Sequence, residues 1–308
     1  MIGEHEVVEA AEAFGVSEHQ VRRDHLVSHL LVALAADPPE AGLVFFGGTA
    51  LCRTHLEGWR LSEDLDLLVT GPREALAHLE RTLPRAVRRD YPGLRVRAVP
   101  HDAATRVALA KADDLTVRLQ LVASDAGWRR YPTARQAVQL RYSDLPATVE
   151  LLVPTAAGFA AMKLAAWRDR RAARDLCDLE GLRRAGLLDD VLPTLDDLTL
   201  TPVRGDFDRP PSPEVWQQAL GHQMDTPPDP VQALADVYDH FGSRLGWPAR
   251  GALAIDDPAP PVAPASPHPR SAGTTDAHEH CQASLRDGRP CPYCALPGRS
   301  VCGIHLRG

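Results

Sequence analysis

Asp64 and Asp66 stand two apart in Ser62-Glu63-Asp64-Leu65-Asp66, where the apolar run 65–69 begins. Residues two apart on a strand share a face, so this spacing sets two carboxylates side by side with Leu65 turned toward the core. Two close carboxylates repel unless a cation lies between them, and oxygen donors so spaced suit Mg2+ carrying the phosphates of a nucleotide. An isolated Asp-x-Asp is also what an acidic, solvated strand looks like, so its meaning depends on its company. That company is Gly47-Gly48-Thr49, between the apolar run 43–46 and a helical stretch opening at Ala50-Leu51. Backbone N–H groups at such a turn form a phosphate cradle, because glycine lets an anion approach closely and a helix N-terminus favours negative charge. The same residues also make a tight strand-to-helix connection, with Thr49 as the cap.

A third feature lies downstream. Lys163 sits among Phe159, Leu164 and Trp167 on an otherwise apolar helix, where its charge is costly unless the ammonium reaches water or an anion such as a triphosphate. Asp175 follows Arg168, Arg170, Arg171 and Arg174, a setting that by itself gives a surface salt bridge of under about 1 kcal/mol. Near the C-terminus, Cys281, Cys291, Cys294, Cys302 and His305 offer five soft ligands, with two of the pairs at x2 spacing, which suits tetrahedral zinc. A segment so short could not fold without such a clip.

These residues need a scaffold to hold them. Apolar residues at Val21, Leu26, Val27, Leu30, Leu31 and Leu34 predict an amphipathic helix over 19–36. The runs 43–46 and 65–69 read as strands, and 72–87 as a helix with Pro72 in its first turn. Alternation and β-branched content predict further strands over 94–99, 105–110, 115–122 and 138–142. From residue 155 the pattern turns helical, over 155–173, 175–185, 213–220 and 230–245. The expected fold is α/β (α+β), a mixed sheet with flanking helices, followed by a helical C-terminal half and a small zinc module. The expected domains are an α/β domain over 1–150, a helical domain completing the site over 151–253, a Pro/Ala-rich linker over 254–277 and a zinc-binding module over 278–308.

Phe46-Gly47-Gly48-Thr49-Ala50-Leu51 and Gly58-Trp59-Arg60-Leu61-Ser62-Glu63-Asp64-Leu65-Asp66 together resemble the nucleotidyltransferase superfamily, specifically its AbiEii/AbiGii toxin branch. In that branch a Gly-Gly-Thr/Ser turn is followed by an Arg-x-Ser-x-Asp-x-Asp strand. Its later lysine helix and Arg-Asp-x-x-Asp element are matched by Met162-Lys163-Leu164-Ala165-Ala166 and Arg174-Asp175-Leu176-Cys177-Asp178-Leu179. The resemblance implies a nucleotidyltransferase-like fold and transfer of a nucleotide from an NTP to RNA, pointing to the 3′ end of tRNA, with a cognate antitoxin as partner. It implies Asp64, Asp66, Lys163 and Asp175 as catalytic residues, with Asp178 a further candidate acid. Mg2+ would sit on Asp64 and Asp66, and Gly47, Gly48, Thr49, Ser62 and Lys163 would bind the nucleotide. Many nucleotidyltransferases add a third carboxylate from a later strand. Here Gln120 stands at that place, with Asp113, Asp114 and Asp125 only near the strand's ends.

The terminal segment resembles a small bacterial zinc motif of the form Cys, Gly-x-x-Cys, Pro-Gly, Cys-x-x-His. In that motif Cys281, Cys291, Cys302 and His305 hold Zn2+ and Cys294 is spare, although ligand arithmetic alone permits Cys294 in place of Cys281. Arg286, Arg289, Arg299 and Arg307 make the segment locally basic.

Composition narrows the rest. The chain has 308 residues, 44% of them hydrophobic, enough for a sizeable core, and no run approaches the about 18 apolar residues that would cross a bilayer. Met1-Ile2-Gly3-Glu4-His5-Glu6 lacks the pattern of a signal peptide, so a cytoplasmic protein is expected. A net charge of -7 argues against indiscriminate binding of nucleic acid, and leaves room for a local basic patch. Two rival readings follow: a nucleotidyltransferase for a small molecule such as an antibiotic, and a non-catalytic nucleic-acid or protein-binding module on a degenerate core.

Overall fold

The computed structural model describes residues 2–39, 42–101, 105–124 and 130–248. Two helices open the chain: α1 (Glu4–Phe14) and α2 (Glu18–Ala36), the second capped by Ser17, whose hydroxyl accepts from the Gln20 N–H. Then follow β1 (Leu43–Phe46), α3 (Gly47–Thr54), β2 (Asp64–Val69), α4 (Pro72–Ala86), β3 (Arg95–Val99), β4 (Thr105–Ala112) and β5 (Leu115–Ala123). After them come β6 (Thr133–Gln139), β7 (Thr148–Pro154), α5 (Ala156–Arg170), α6 (Ala173–Arg184), α7 (Leu192–Asp197), a 3-10 turn (Arg204–Phe207), α8 (Pro213–Leu220) and α9 (Pro230–Leu245).

The main sheet runs β1-β2-β5-β4-β3 and is mixed: β2 and β5 are parallel and the other neighbours antiparallel. Its strands alternate as a half-buried sheet must. Leu65 and Leu67 of β2 and Val117, Leu119 and Leu121 of β5 are buried against α2 and α4, in one core with Leu26, Leu30 and Leu34. Each such side chain contributes roughly 1.5–3 kcal/mol on leaving water. Asp64 and Asp66 of β2, with Arg118 and Gln120 of β5, alternate with these and so occupy the opposite face. Strands β6 and β7 form a separate hairpin, with β7 packed beside β1, and α6 is packed among α5, α8 and α9.

The mixed sheet with flanking helices agrees with expectation; one strand is corrected, and α1 lies outside every expected element. The strand expected over 138–142 is β6, ending at Gln139; beyond it Arg141 takes a left-handed φ of 74° and the chain reverses into β7. β6 is hard to see because outward residues such as Thr133 and Arg135, with Gln136 on the other face, dilute its apolar content. α1 escapes a hydrophobic pattern because Val7 is its only buried residue. The expected boundary at residue 150 falls inside β7, and the core runs unbroken from β2 to α9, so the α/β part and the helical part share one unit, Met1–Ala254. The second unit, Ile255–Gly308, lies outside the described residues, and with it the expected linker and the residues Cys281, Cys291, Cys294, Cys302 and His305.

A buried charge network fixes α2 to α3 and to the β6–β7 hairpin. Asp24 accepts from Arg53 Nη2 at 2.8 Å, from the Tyr142 hydroxyl at 2.9 Å and from Arg141 Nη1 at 3.3 Å. Burial alone would push this carboxyl up, but Arg53 and Arg141 outweigh it and hold it below the usual range. Asp24→Ala strands the Arg53 guanidinium in the core and is expected to cost about 3–5 kcal/mol in urea denaturation. Asp24→Ala/Arg53→Met should recover part of that loss. Equal stability of wild type and Asp24→Ala would remove this network from the account of the fold.

Candidate active site

β1 runs directly into α3, and its register places Phe46 opposite Asp66. The first turn of α3 therefore lies against the carboxylates of β2, which is why two glycines stand there. Gly47 has φ +80°, a left-handed conformation, and a Cβ on it would lie 2.0 Å from Asp66 Oδ2. A Cβ on Gly48 would lie 2.4 Å from Arg60 Nη2. Thr49 is buried, and its hydroxyl donates to the Asp64 carbonyl, pinning the start of β2. The Thr49 side chain thus braces the strand, leaving only its backbone N–H for the expected cradle, and the expected cap is corrected: Phe46 rather than Thr49 is the helix N-cap.

A cavity of about 420 Å3 opens over this point. Its sheet side carries Asp64 and Asp66, with Arg118 and Gln120 from β5, paired in register as Asp64 with Arg118 and Asp66 with Gln120. Gly47 and Gly48 border it at the head of α3. Helices α5 and α6, with the residues joining them, bring Lys163, Asp169, Arg170, Arg174 and Asp175. Arg60 and Ser62 complete an alternating series, Arg60, Ser62, Asp64, Asp66, in which each residue lines the cavity.

The structure thus gathers Asp64, Asp66, Gly47, Gly48, Ser62, Lys163 and Asp175 at one place. Lys163 is buried and does not snorkel. Its Nζ lies 2.7 Å from Asp178 Oδ2 and 3.3 Å from Asp175 Oδ1. Burial would lower its pKa, but the two aspartates outweigh burial and raise it, so the ammonium keeps its charge. Asp178 has a different place from Asp175. Both are fully buried, but Asp178 takes Arg60 Nε and Nη2 at 2.9 Å each and does not line the cavity. Burial pushes its carboxyl up, yet Arg60 and Lys163 together hold it at about 2. Asp175 lines the cavity and is clasped by Arg170 Nε at 2.8 Å and Nη2 at 3.0 Å.

Sequence reasoning missed Arg118, Arg170 and Arg174 as cavity residues. The last two sit in a run of arginines that reads as solvated surface, and Arg118 gains meaning only once β5 is placed beside β2. The buried role of Arg60 was open to inference from its spacing with Ser62, Asp64 and Asp66. Gln120 stands opposite Asp66, so β5 presents a neutral amide there.

The two strand carboxylates are strained by their setting. Burial and the Asp64 charge push Asp66 up to about 6, against the pull of Lys163, Arg118 and Arg170. Burial also raises Asp64, opposed by Arg118 and Arg174. The sign for stability follows from linkage. Between roughly pH 4 and 6 the folded chain holds an Asp66 proton that the unfolded chain has lost, so stability falls as pH rises through that window. With a chelator present, Asp66→Asn should lack this slope and melt above wild type near about pH 7. A variant no more stable than wild type there would show that the carboxylate is not strained.

Residues 29–240 match the family described as "Nucleotidyl transferase AbiEii toxin, Type IV TA system". No curated protein matches the sequence. Among solved structures, MenT4, the nucleotidyltransferase toxin Rv2826c from Mycobacterium tuberculosis H37Rv, superposes with a TM-score of 0.54 at 22% identity, over 80% of this chain and 91% of that one. At that identity the likeness speaks for the fold. The family match spans more than half of the chain and takes in every cavity residue named above, so the chain belongs to the AbiEii nucleotidyl transferase toxin family.

Proposed function

We propose that this nucleotidyltransferase moves a nucleotidyl group from an NTP to RNA, at the 3′ end of tRNA, with Mg2+ on Asp64 and Asp66. The observation that carries the acceptor class is the continuity of the sheet face. In register outward from Asp64 come Arg118 on β5, Leu109 on β4 and Arg97 on β3, with Lys111 paired to Arg95 beside them. Arg118, Lys111, Arg97 and Arg95 are exposed, and the last three border a groove of about 530 Å3. A track of spaced cations leading from the carboxylates suits a polyanionic backbone far better than a small acceptor. It also reconciles an acidic chain with a nucleic-acid substrate.

The donor set fits Mg2+. Asp64 and Asp66 are oxygen ligands whose proton affinity is raised by burial, at Asp66 with the Asp64 charge added, so a cation would relieve both, and the missing Cβ of Gly47 lets the Asp66 carboxylate sit against the turn. Bound there, the ion would offset phosphate charge and polarise the reacting phosphoryl group. The remaining work falls to the chain. The N-terminus of α3, at Gly47 and Gly48, favours an anion. Lys163, Arg170 and Arg174 face the cavity with positive charge for the triphosphate, Ser62 offers a hydroxyl, and Asp175 holds Lys163 and Arg170 in place. The acceptor hydroxyl attacks the α-phosphorus as pyrophosphate leaves, and fixing both reactants in line removes most of the entropic cost.

A type IV toxin–antitoxin family supports a cognate antitoxin as partner, and the use of NTP and tRNA supports a cytoplasmic location. Among the described residues no helix is long and apolar enough to cross a membrane. We assign residues 278–308 a structural zinc on Cys281, Cys291, Cys302 and His305, carried on the 254–277 linker.

Incubation with each α-labelled NTP, Mg2+ and total tRNA tests the assignment. Wild type should label tRNA, and Asp66→Ala should not while keeping its circular dichroism. Arg95→Ser/Arg97→Ser/Lys111→Ser should raise KM for tRNA about tenfold with NTP affinity unchanged. Labelling of a small acceptor and never of RNA would establish the antibiotic-type rival. No labelled product with any NTP would establish the binding-module rival.

A further inference from the structure

Away from the cavity, three metal-ligating side chains converge between α2 and the β6–β7 connection. His25 and His29 stand four apart on α2 and so share a helix face. His25 Nε2 lies 3.2 Å from His29 Nε2, and 3.0 and 3.1 Å from the two carboxylate oxygens of Asp144. His29 Nε2 lies 3.7 Å from Asp144 Oδ2. None of the three lines the active-site cavity.

We infer that His25, His29 and Asp144 form a binding site for a transition-metal dication, with Zn2+ the best fit. Ligands about 2.0–2.1 Å from a tetrahedral zinc are about 3.3 Å from one another, and the observed separations bracket that edge. Imidazole nitrogens select zinc over Mg2+, so this site and the all-carboxylate pair of the cavity differ in the metal they prefer. The outer nitrogen of His25 is held by a hydrogen bond, as in zinc-bound histidines, and that of His29 faces a carboxylate. His25 Nδ1 is 2.6 Å from the Tyr91 hydroxyl, and His29 Nδ1 is 3.7 Å from Asp90 Oδ2, which can only accept.

The proton inventory favours a cation as well. A carboxylate facing His29 Nδ1 places the ring proton there and leaves a lone pair on Nε2. A proton on His25 Nε2 then faces both Asp144 and His29 and can serve one of them well, whereas a metal ion serves all three donors. His25 and His29 are buried while the Asp144 side chain is 22% exposed, which gives the ion a way in. Bound zinc would tie α2 to the hairpin that also carries Arg141 and Tyr142 of the Asp24 network.

The test uses the full chain with Cys291→Ser/Cys302→Ser, so that terminal thiolates do not dominate the metal count. After chelation and dialysis against Zn2+ in excess Mg2+, elemental analysis should give one zinc per chain, and Zn2+ should raise the melting temperature. Cobalt(II) in its place should give visible absorption without a thiolate charge-transfer band. His29→Gln added to that background should weaken zinc binding at least tenfold, and Asp144→Asn, at a partly exposed position, should do so too if His29→Gln fails to fold. Less than stoichiometric zinc with the histidines intact would overturn the site, leaving a hydrogen-bonded histidine pair only. Binding unchanged by both substitutions would overturn it equally.

Discussion

Asp178 is the buried carboxylate on which the cavity depends. Arg60, from the segment leading into β2, grips it with two parallel hydrogen bonds, Lys163 of α5 lies 2.7 Å away, and Gln223 takes the remaining Arg60 Nη1 at 2.6 Å. One acidic side chain on α6 therefore fixes the sheet side, the lysine helix and the segment after α8 relative to one another. Burying such charges is expensive, and a well-packed apolar replacement is often as stable, so stability alone does not account for the arrangement. What it supplies is position: the lysine ammonium and the strand carboxylates stay on opposing sides of one cavity without closing on each other.

The carboxylates themselves show the opposite economy. Asp66 is raised to about 6 because it is buried beside Asp64, and the fold would be easier to form without it. Around it the local structure leaves no slack. Gly47 has no Cβ because Asp66 occupies that space, and Thr49 uses its hydroxyl on the Asp64 backbone. Local conflict between stability and geometry, maintained by rigid neighbours, marks the carboxylate pair as a feature kept for something other than stability.

Much of this was legible in the sequence because it is local. Strand alternation puts Asp64 and Asp66 on one side, and a glycine pair after an apolar run announces a turn against something. Helices α8 and α9 were legible as the stretches 213–220 and 230–245, and the structure begins them there, behind Ser212 and Asp229 as caps. Arg118 and the basic track beyond it were not, since their meaning arises from the parallel pairing of β2 with β5 and from the order of the sheet, which are relations between distant segments. Asp175 and Asp178 show the same limit at closer range. Three residues apart on one helix, they look alike in the sequence. The packing of Arg60 makes one a buried anchor and leaves the other facing the cavity.

The register of β5 also decides how much negative charge the sheet can offer. Adjacent strands lie about 4.8 Å apart, so a carboxylate in place of Gln120 would sit beside Asp66 and raise its proton affinity further. β5 instead sets a neutral amide against Asp66 and a guanidinium against Asp64. The anionic donors of the sheet are then the β2 pair, while Asp175 across the cavity is held by Arg170 and Lys163. The cavity lining carries Asp64, Asp66, Asp169 and Asp175 against Arg60, Arg118, Arg170, Arg174 and Lys163, a near-balance of charge in which the basic residues are placed to meet a strongly anionic substrate.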